Sequence, residues 1–169
     1  MESQPQVGAP KRRSDFLTVL CVLSFLGSGF GIVNSLTNYA NADVLSEIGR
    51  EAIVQTREKV DEEVESGKGK KIAEKMISGA SAMLDPEKLK QNYLLGLISN
   101  LITLGGAIMM FRLRKIGFWM YIAGTMVLVA TPLIIFGVSN LLGLGITFGF
   151  GVVGILFIVL YSINLKQLQ

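Results

Sequence analysis

The chain has no histidine, one cysteine, four prolines and one tryptophan in 169 residues. Without histidine there is no Ser-His-Asp triad, no Cys-His pair and no imidazole ligand for zinc, and a lone thiol at Cys21 closes no internal disulfide. Charge is scarce as well, at 17% of residues, and it is unevenly spread. Of the 29 charges, 20 lie between Asp43 and Lys90, nine basic and eleven acidic, which leaves long stretches with none. Half the residues are hydrophobic and the mean hydropathy is +0.51, too apolar for an ordinary soluble domain of this size. These absences exclude a standard cytosolic enzyme and point to a non-enzymatic polytopic membrane protein, with no cofactor and no metal expected. The net charge of +3 is not read as nucleic-acid affinity, because the basic residues sit beside apolar runs, where they act on membrane topology. The expected partner is the lipid bilayer, not nucleic acid.

A bilayer core of about 30 Å needs about 20 apolar helical residues. Four stretches reach or approach that length: Phe16 to Leu36, Tyr93 to Phe111, Ile116 to Phe136, and Leu142 to Ile163. A basic tail over 1–15 precedes the first, a long segment over 37–92 separates the first two, a basic link over 112–115 joins the second and third, and a short turn over 137–141 joins the third and fourth. Lys11, Arg12 and Arg13, then Arg112, Arg114 and Lys115, and finally Lys166 all fall on one side of such a bundle, against only Glu2 and Asp15. The positive-inside rule makes that side cytoplasmic, so both termini face in and the 37–92 segment faces out. Tyr39 and Tyr93 fall at the outer boundary and Trp119, Tyr121 and Tyr161 towards the inner one, as an aromatic belt would. The basic tail, the apolar run and Ala40-Asn41-Ala42 imitate a secretory signal, but the run exceeds the usual 7 to 15 residues, and it is read as a retained span.

Between Asn41 and Asp85 the apolar pattern becomes periodic. Ile72, Ala73, Met76, Ile77, Ala80, Met83 and Leu84 recur at helical spacing, with Lys70, Lys71, Glu74 and Lys75 mostly off that face. Upstream, Val44, Leu45, Ile48, Ile53, Val60 and Val64 form a looser stripe among acids such as Asp61, Glu62, Glu63 and Glu65, which lack the glycine and alternating oxygen ligands of a calcium loop. Ser66-Gly67-Lys68-Gly69 divides the two stripes, giving an extracytoplasmic amphipathic helical hairpin. Its face of Ile72, Met76, Ile77, Ala80 and Met83 either receives a partner or packs on the bundle as a lid. Asp85-Pro86-Glu87 reads as an N-cap, a first-turn proline and a first-turn acid, launching a helix that runs into the second span.

No Asp, Glu, Lys or Arg lies well inside a span, which argues against proton relays and charge-coupled transport. What remains there is uncharged: Asn34, Ser35, Ser99, Asn100, Thr103 and Thr131. These either join helices by hydrogen bonds or line an outer vestibule or a lipid-headgroup pocket. Small residues at Gly27, Gly31, Gly96, Gly106, Gly117, Gly124, Gly145 and Gly149 are placed for close helix packing or for contact between copies. Gly149-Phe150-Gly151-Val152-Val153-Gly154 matches a dinucleotide fingerprint in spelling only, since no strand precedes it and no acid follows about 20 residues later.

The run Phe16-Leu17-Thr18-Val19-Leu20-Cys21-Val22-Leu23-Ser24-Phe25 behind a basic tail resembles the start of small uncharacterised four-span inner-membrane proteins of Gram-negative bacteria. It covers about a sixth of the chain, implies an inner-membrane location and supplies no activity. Four spans with a long first loop also resemble claudin topology, but this loop has neither the Trp nor the Cys of that family. The expectation is an all-α membrane protein, a bundle of four transmembrane helices. It would act as an assembly or accessory subunit bound to another membrane protein or to its own copies; the alternative is a small oligomeric transporter or channel component built on the polar cluster.

Overall fold

Helix boundaries follow local capping chemistry. The Ser14 hydroxyl accepts the Leu17 N–H at 3.2 Å and starts α1, Asp15–Ala40. Asn41 ends it, its Nδ2 donating to the Thr37 carbonyl at 2.8 Å, and α2, Ala42–Glu63, resumes one residue later. α3 spans Lys68–Met83. Asp85 then accepts from the N–H groups of Glu87 and Lys88, with Pro86 at the first helical position, to open α4, Pro86–Phe111. α5 covers Ile116–Phe136, and Asn140 caps α6, Leu141–Ile163, by accepting from Leu142 and Gly143. A 3-10 turn, Leu165–Gln167, follows. The computed structural model describes residues 14–63, 67–138 and 140–168, so Lys11, Arg12, Arg13, Val64, Glu65 and Ser66 lie outside the described residues.

Among the described residues the protein is all-helical, with six α-helices. Four of them, α1, α4, α5 and α6, are long and apolar enough to cross a membrane, which makes this a multi-pass membrane architecture. α1 runs four residues beyond the expected Leu36, because nothing breaks it before Asn41. α4 begins seven residues before the apolar run, as the Asp85-Pro86 signal predicted.

α4 packs against both α1 and α5, and α6 packs on α5 and touches α1. The α4–α5 seam depends on glycine. A Cβ on Gly106 would sit 2.7 Å from the Tyr121 backbone nitrogen, and one on Gly124 would sit 2.6 Å from Thr103 Cγ2. Backbones this close gain dispersion contacts that no larger residue would permit. The predicted stripe on α6 is different: Gly145 and Gly149 face open space, and the α6 glycine in tight contact with a neighbouring helix is Gly154, against the Thr125 methyl group. The packing register of α6 is therefore set by where α5 lies, not by its own most regular small-residue pair.

α1 and α6 meet at one end only. There the Ser14 hydroxyl donates to Asn164 Oδ1 at 3.3 Å, and Ser24 Oγ bonds to the Tyr161 hydroxyl at 2.8 Å. Leu17, Leu20, Cys21, Met110, Phe118, Tyr121, Tyr161 and Leu168 form the buried core at this end. Tyr121 and Tyr161 stack edge to face at 5.1 Å inside it. That corrects the aromatic-belt expectation for these two residues; Trp119 is exposed.

The α4–α5 link crosses the same end. Leu113 takes a left-handed conformation (φ 62°), with its N–H donating to Met110 and that of Arg114 to Met109, a Schellman stop whose usual residue is glycine. Leucine is kept there because its side chain packs against the buried core. Arg112, Arg114 and Lys115 stand exposed around it.

Candidate functional site

Away from the closed end α1 and α6 diverge, leaving a cavity of about 430 Å³ between them, floored by α4 and α5. That volume lies within the usual range for small-molecule sites. Phe30 (75% exposed) and Phe150 (52% exposed) line it from α1 and α6 and mark the edges of its side opening. Its two walls differ in chemistry. α1 and α4 contribute Ser24, Ser28, Asn34, Ser35, Asn92, Asn100 and Thr103, whereas α6 contributes Ile146, Phe150, Val153, Gly154 and Phe157 and no polar side chain. α5 supplies Thr125 and Thr131 beside Leu128 and Pro132.

Five of the six polar residues singled out in the sequence line this cavity: Asn34, Ser35, Asn100, Thr103 and Thr131. Ser99 does not. It is fully buried in the α4–α5 seam, where its hydroxyl donates to the Gly124 carbonyl at 2.6 Å. Ser24, Ser28, Asn92 and Thr125 were missed, although Ser24 and Ser28 at i, i+4 share one helix face with Gly31 and Ser35, a pattern legible in the sequence. Ser28 and Thr103 join α1 to α4 at 3.1 Å, so interhelical bonding and cavity lining coexist. Asn100 belongs to the second role: its Nδ2 donates to Gly96 of its own helix at 2.7 Å, and its amide lies against Gly31 on α1, where a Cβ would strike it.

α2 and α3 close over the end of the bundle opposite the basic link. Ser46 donates to the Leu84 carbonyl, Lys90 pairs with Asp43 at 2.8 Å, and Asn140 Nδ2 donates to the Gly79 carbonyl at 2.9 Å. The first ties α2 to the end of α3, the second ties α2 to the start of α4, and the third ties α3 to the cap of α6. Met83 reaches the cavity lining from this layer. The expected partner face is split: Ile77 is buried, Ala80 and Met83 are half-buried, and only Ile72 and Met76 are exposed. On the outside, Lys70 pairs with Asp61 at 2.9 Å between α2 and α3, and the hydrogen bond and charge of Asp61 hold the ammonium above its ordinary pKa.

No protein-family model, curated protein sequence or solved structure matches the chain. The class is therefore defined by the architecture itself: a multi-pass helical protein whose bundle is sealed at one end and hollow at the other.

Proposed function

We propose that this is a non-enzymatic protein of the bacterial inner membrane that holds a membrane-resident small molecule in the cavity between α1 and α6. Both termini face the cytoplasm, and the α2–α3 hairpin lies outside as a cover over the site. The observation that carries this reading is the two-walled cavity itself, uncharged and open to the side, where a molecule dissolved in the bilayer reaches it without crossing water. Protonic or charge-coupled transport finds no support, since every lining residue is neutral. Exposed Val44, Ile48, Ile72 and Met76 on the hairpin favour a second part of the reading, an accessory role in which another membrane protein, or a further copy, docks outside the bilayer.

Two neighbouring positions on α4 test the site. In a Cys21→Ala background, the thiol of Asn100→Cys reacts with a small methanethiosulfonate, whereas that of Ser99→Cys stays inert in the folded protein. Equal inertness of both removes the cavity from the functional account. Orientation is tested in the same background on intact cells: an impermeant maleimide labels Glu51→Cys but not Gln4→Cys or Lys166→Cys. Labelling of either terminus reverses the topology.

A further inference from the structure

Several polar groups of the cavity are left with acceptor capacity alone. Thr125 donates its hydroxyl proton to the Tyr121 carbonyl at 2.9 Å, Thr131 to Val127 at 2.7 Å, and Thr103 to Ser99 or Asn100 at 3.1 and 3.0 Å. The protons of Thr125 and Thr131 are committed to their own helix and leave only lone pairs outward, while Thr103 also shares a hydrogen bond with Ser28 in which either hydroxyl can donate. Asn100 has likewise committed its Nδ2 to Gly96, and among the described residues its Oδ1 receives no hydrogen bond. Pro132 adds a backbone acceptor. It has no N–H to return to the carbonyl of Leu128 four residues back, and both residues line the cavity. Towards the end covered by α2 and α3, Asn34, Ser35, Asn92 and Tyr93 offer both donors and acceptors.

We infer that the cavity selects a neutral amphiphile with a hydroxyl-bearing head, of the monoacylglycerol or long-chain alcohol type. This rests on the reading of the cavity as a binding site. The head would donate O–H groups to Asn100, Thr125, Thr131 and the freed Leu128 carbonyl, while the hydrocarbon lies on the apolar α6 wall. An anionic head finds no Lys or Arg in the lining, and a metal cation finds no carboxylate, so either would carry an unpaired charge into an apolar space. The side opening between Phe30 and Phe150 gives a bilayer-dissolved chain its route in.

The test uses the purified full-length protein in phosphatidylcholine nanodiscs, titrated with 1-monolauroylglycerol, with its dimethyl ether, which keeps the shape but cannot donate, and with laurate. Affinity is read by thermophoresis and stoichiometry by native mass spectrometry. The diol is expected to bind at least about tenfold more tightly than the diether, the loss that a hydrogen bond of about 1.4 kcal/mol implies. Asn100→Leu is expected to erase most of that difference. Gly27→Phe fills the cavity from a position where a Cβ meets nothing within 4 Å, and it is expected to abolish binding of both while the thermal melt stays in place. Diol and diether binding equally, both lost in Gly27→Phe, overturns the donor-head assignment and leaves the cavity standing. Laurate binding as well as the diol, or sodium ions giving a saturable stabilisation that Asn100→Leu removes, overturns the neutral class. Binding untouched by Gly27→Phe, or a dimer that the same substitution dissolves without any amphiphile bound, overturns the cavity reading itself.

Discussion

The two ends of the four-helix bundle are built from the same helices and obey different packing rules. At the closed end, large side chains from α1, α4, α5 and α6 interlock around Tyr161, and the basic link wraps them. At the open end, α1 and α6 part, and the space is lined by short hydroxyl and amide side chains on one wall and hydrocarbon on the other. Sealing four helices requires residues long enough to reach the axis. Where α1 offers Ser28, Gly31 and Ser35 instead, it approaches α4 alone and leaves α6 behind. A packed end and a hollow end in one bundle suit the proposed binding role: the first holds the geometry, and the second leaves room for an occupant.

The contrast is broken most severely by truncating aromatics at its two ends. Tyr161→Ala, which empties a fully buried position, is expected to cost about 3 to 5 kcal/mol, whereas Phe150→Ala at the mouth is expected to cost less than about 1 kcal/mol, as reversible unfolding in mixed micelles would measure. Comparable losses at both would mean that the two ends are equally packed. Next comes the glycine seam. Gly106→Leu forces a side chain into the Tyr121 backbone and is expected to destabilise by about 1 to 3 kcal/mol or more, while Gly145→Leu points into open space and is expected to be close to neutral in the same assay.

Smaller effects sharpen the view of the cover. Asn140→Ala removes the α6 cap and the bond to Gly79 together, with about 1 kcal/mol expected for the cap. Hydrogen exchange should then speed up over Gly79 to Met83 but not over Leu17 to Cys21; acceleration at both would show that cover and closed end move as one. The smallest effect belongs to Lys70 and Asp61. The folded protein raises the pKa of Lys70, so this pair contributes below the ordinary lysine value of about 10.4 and is lost as pH rises through the raised value. A slight fall in melting temperature is expected in that alkaline window, absent in Asp61→Asn, and its persistence in the variant would assign it to another group.

Much of this fold is legible because each signal is local. Asp85-Pro86-Glu87 announced the start of α4, the charge-free runs announced the spans, and the periodicity of Ile72, Met76, Ile77 and Ala80 announced α3. The candidate site was legible in part. Asn100 and Thr103 stand out as polar residues in an apolar run, but nothing in the run separates Asn100 from Ser99, one facing the cavity and the other sealed in a seam. Thr125 escaped notice because it is a single hydroxyl in a strongly apolar run, and both its fit against Gly154 of α6 and its place in the cavity lining appear only in the assembled fold.

Composition and local pattern alone carry the helical character, the four segments apolar enough to span a membrane, and the start of α4 at Asp85-Pro86, since hydropathy and capping act over one to twenty consecutive residues. Only the tertiary structure decided that Tyr121 and Tyr161 belong to a core and not to an interfacial belt, that Gly154 and not Gly145 or Gly149 packs, and that the polar residues of three helices share one cavity. Those outcomes depend on the rotation and spacing of whole helices. These are fixed by the sum of many weak contacts across the bundle, and no single helix carries that information in its own sequence.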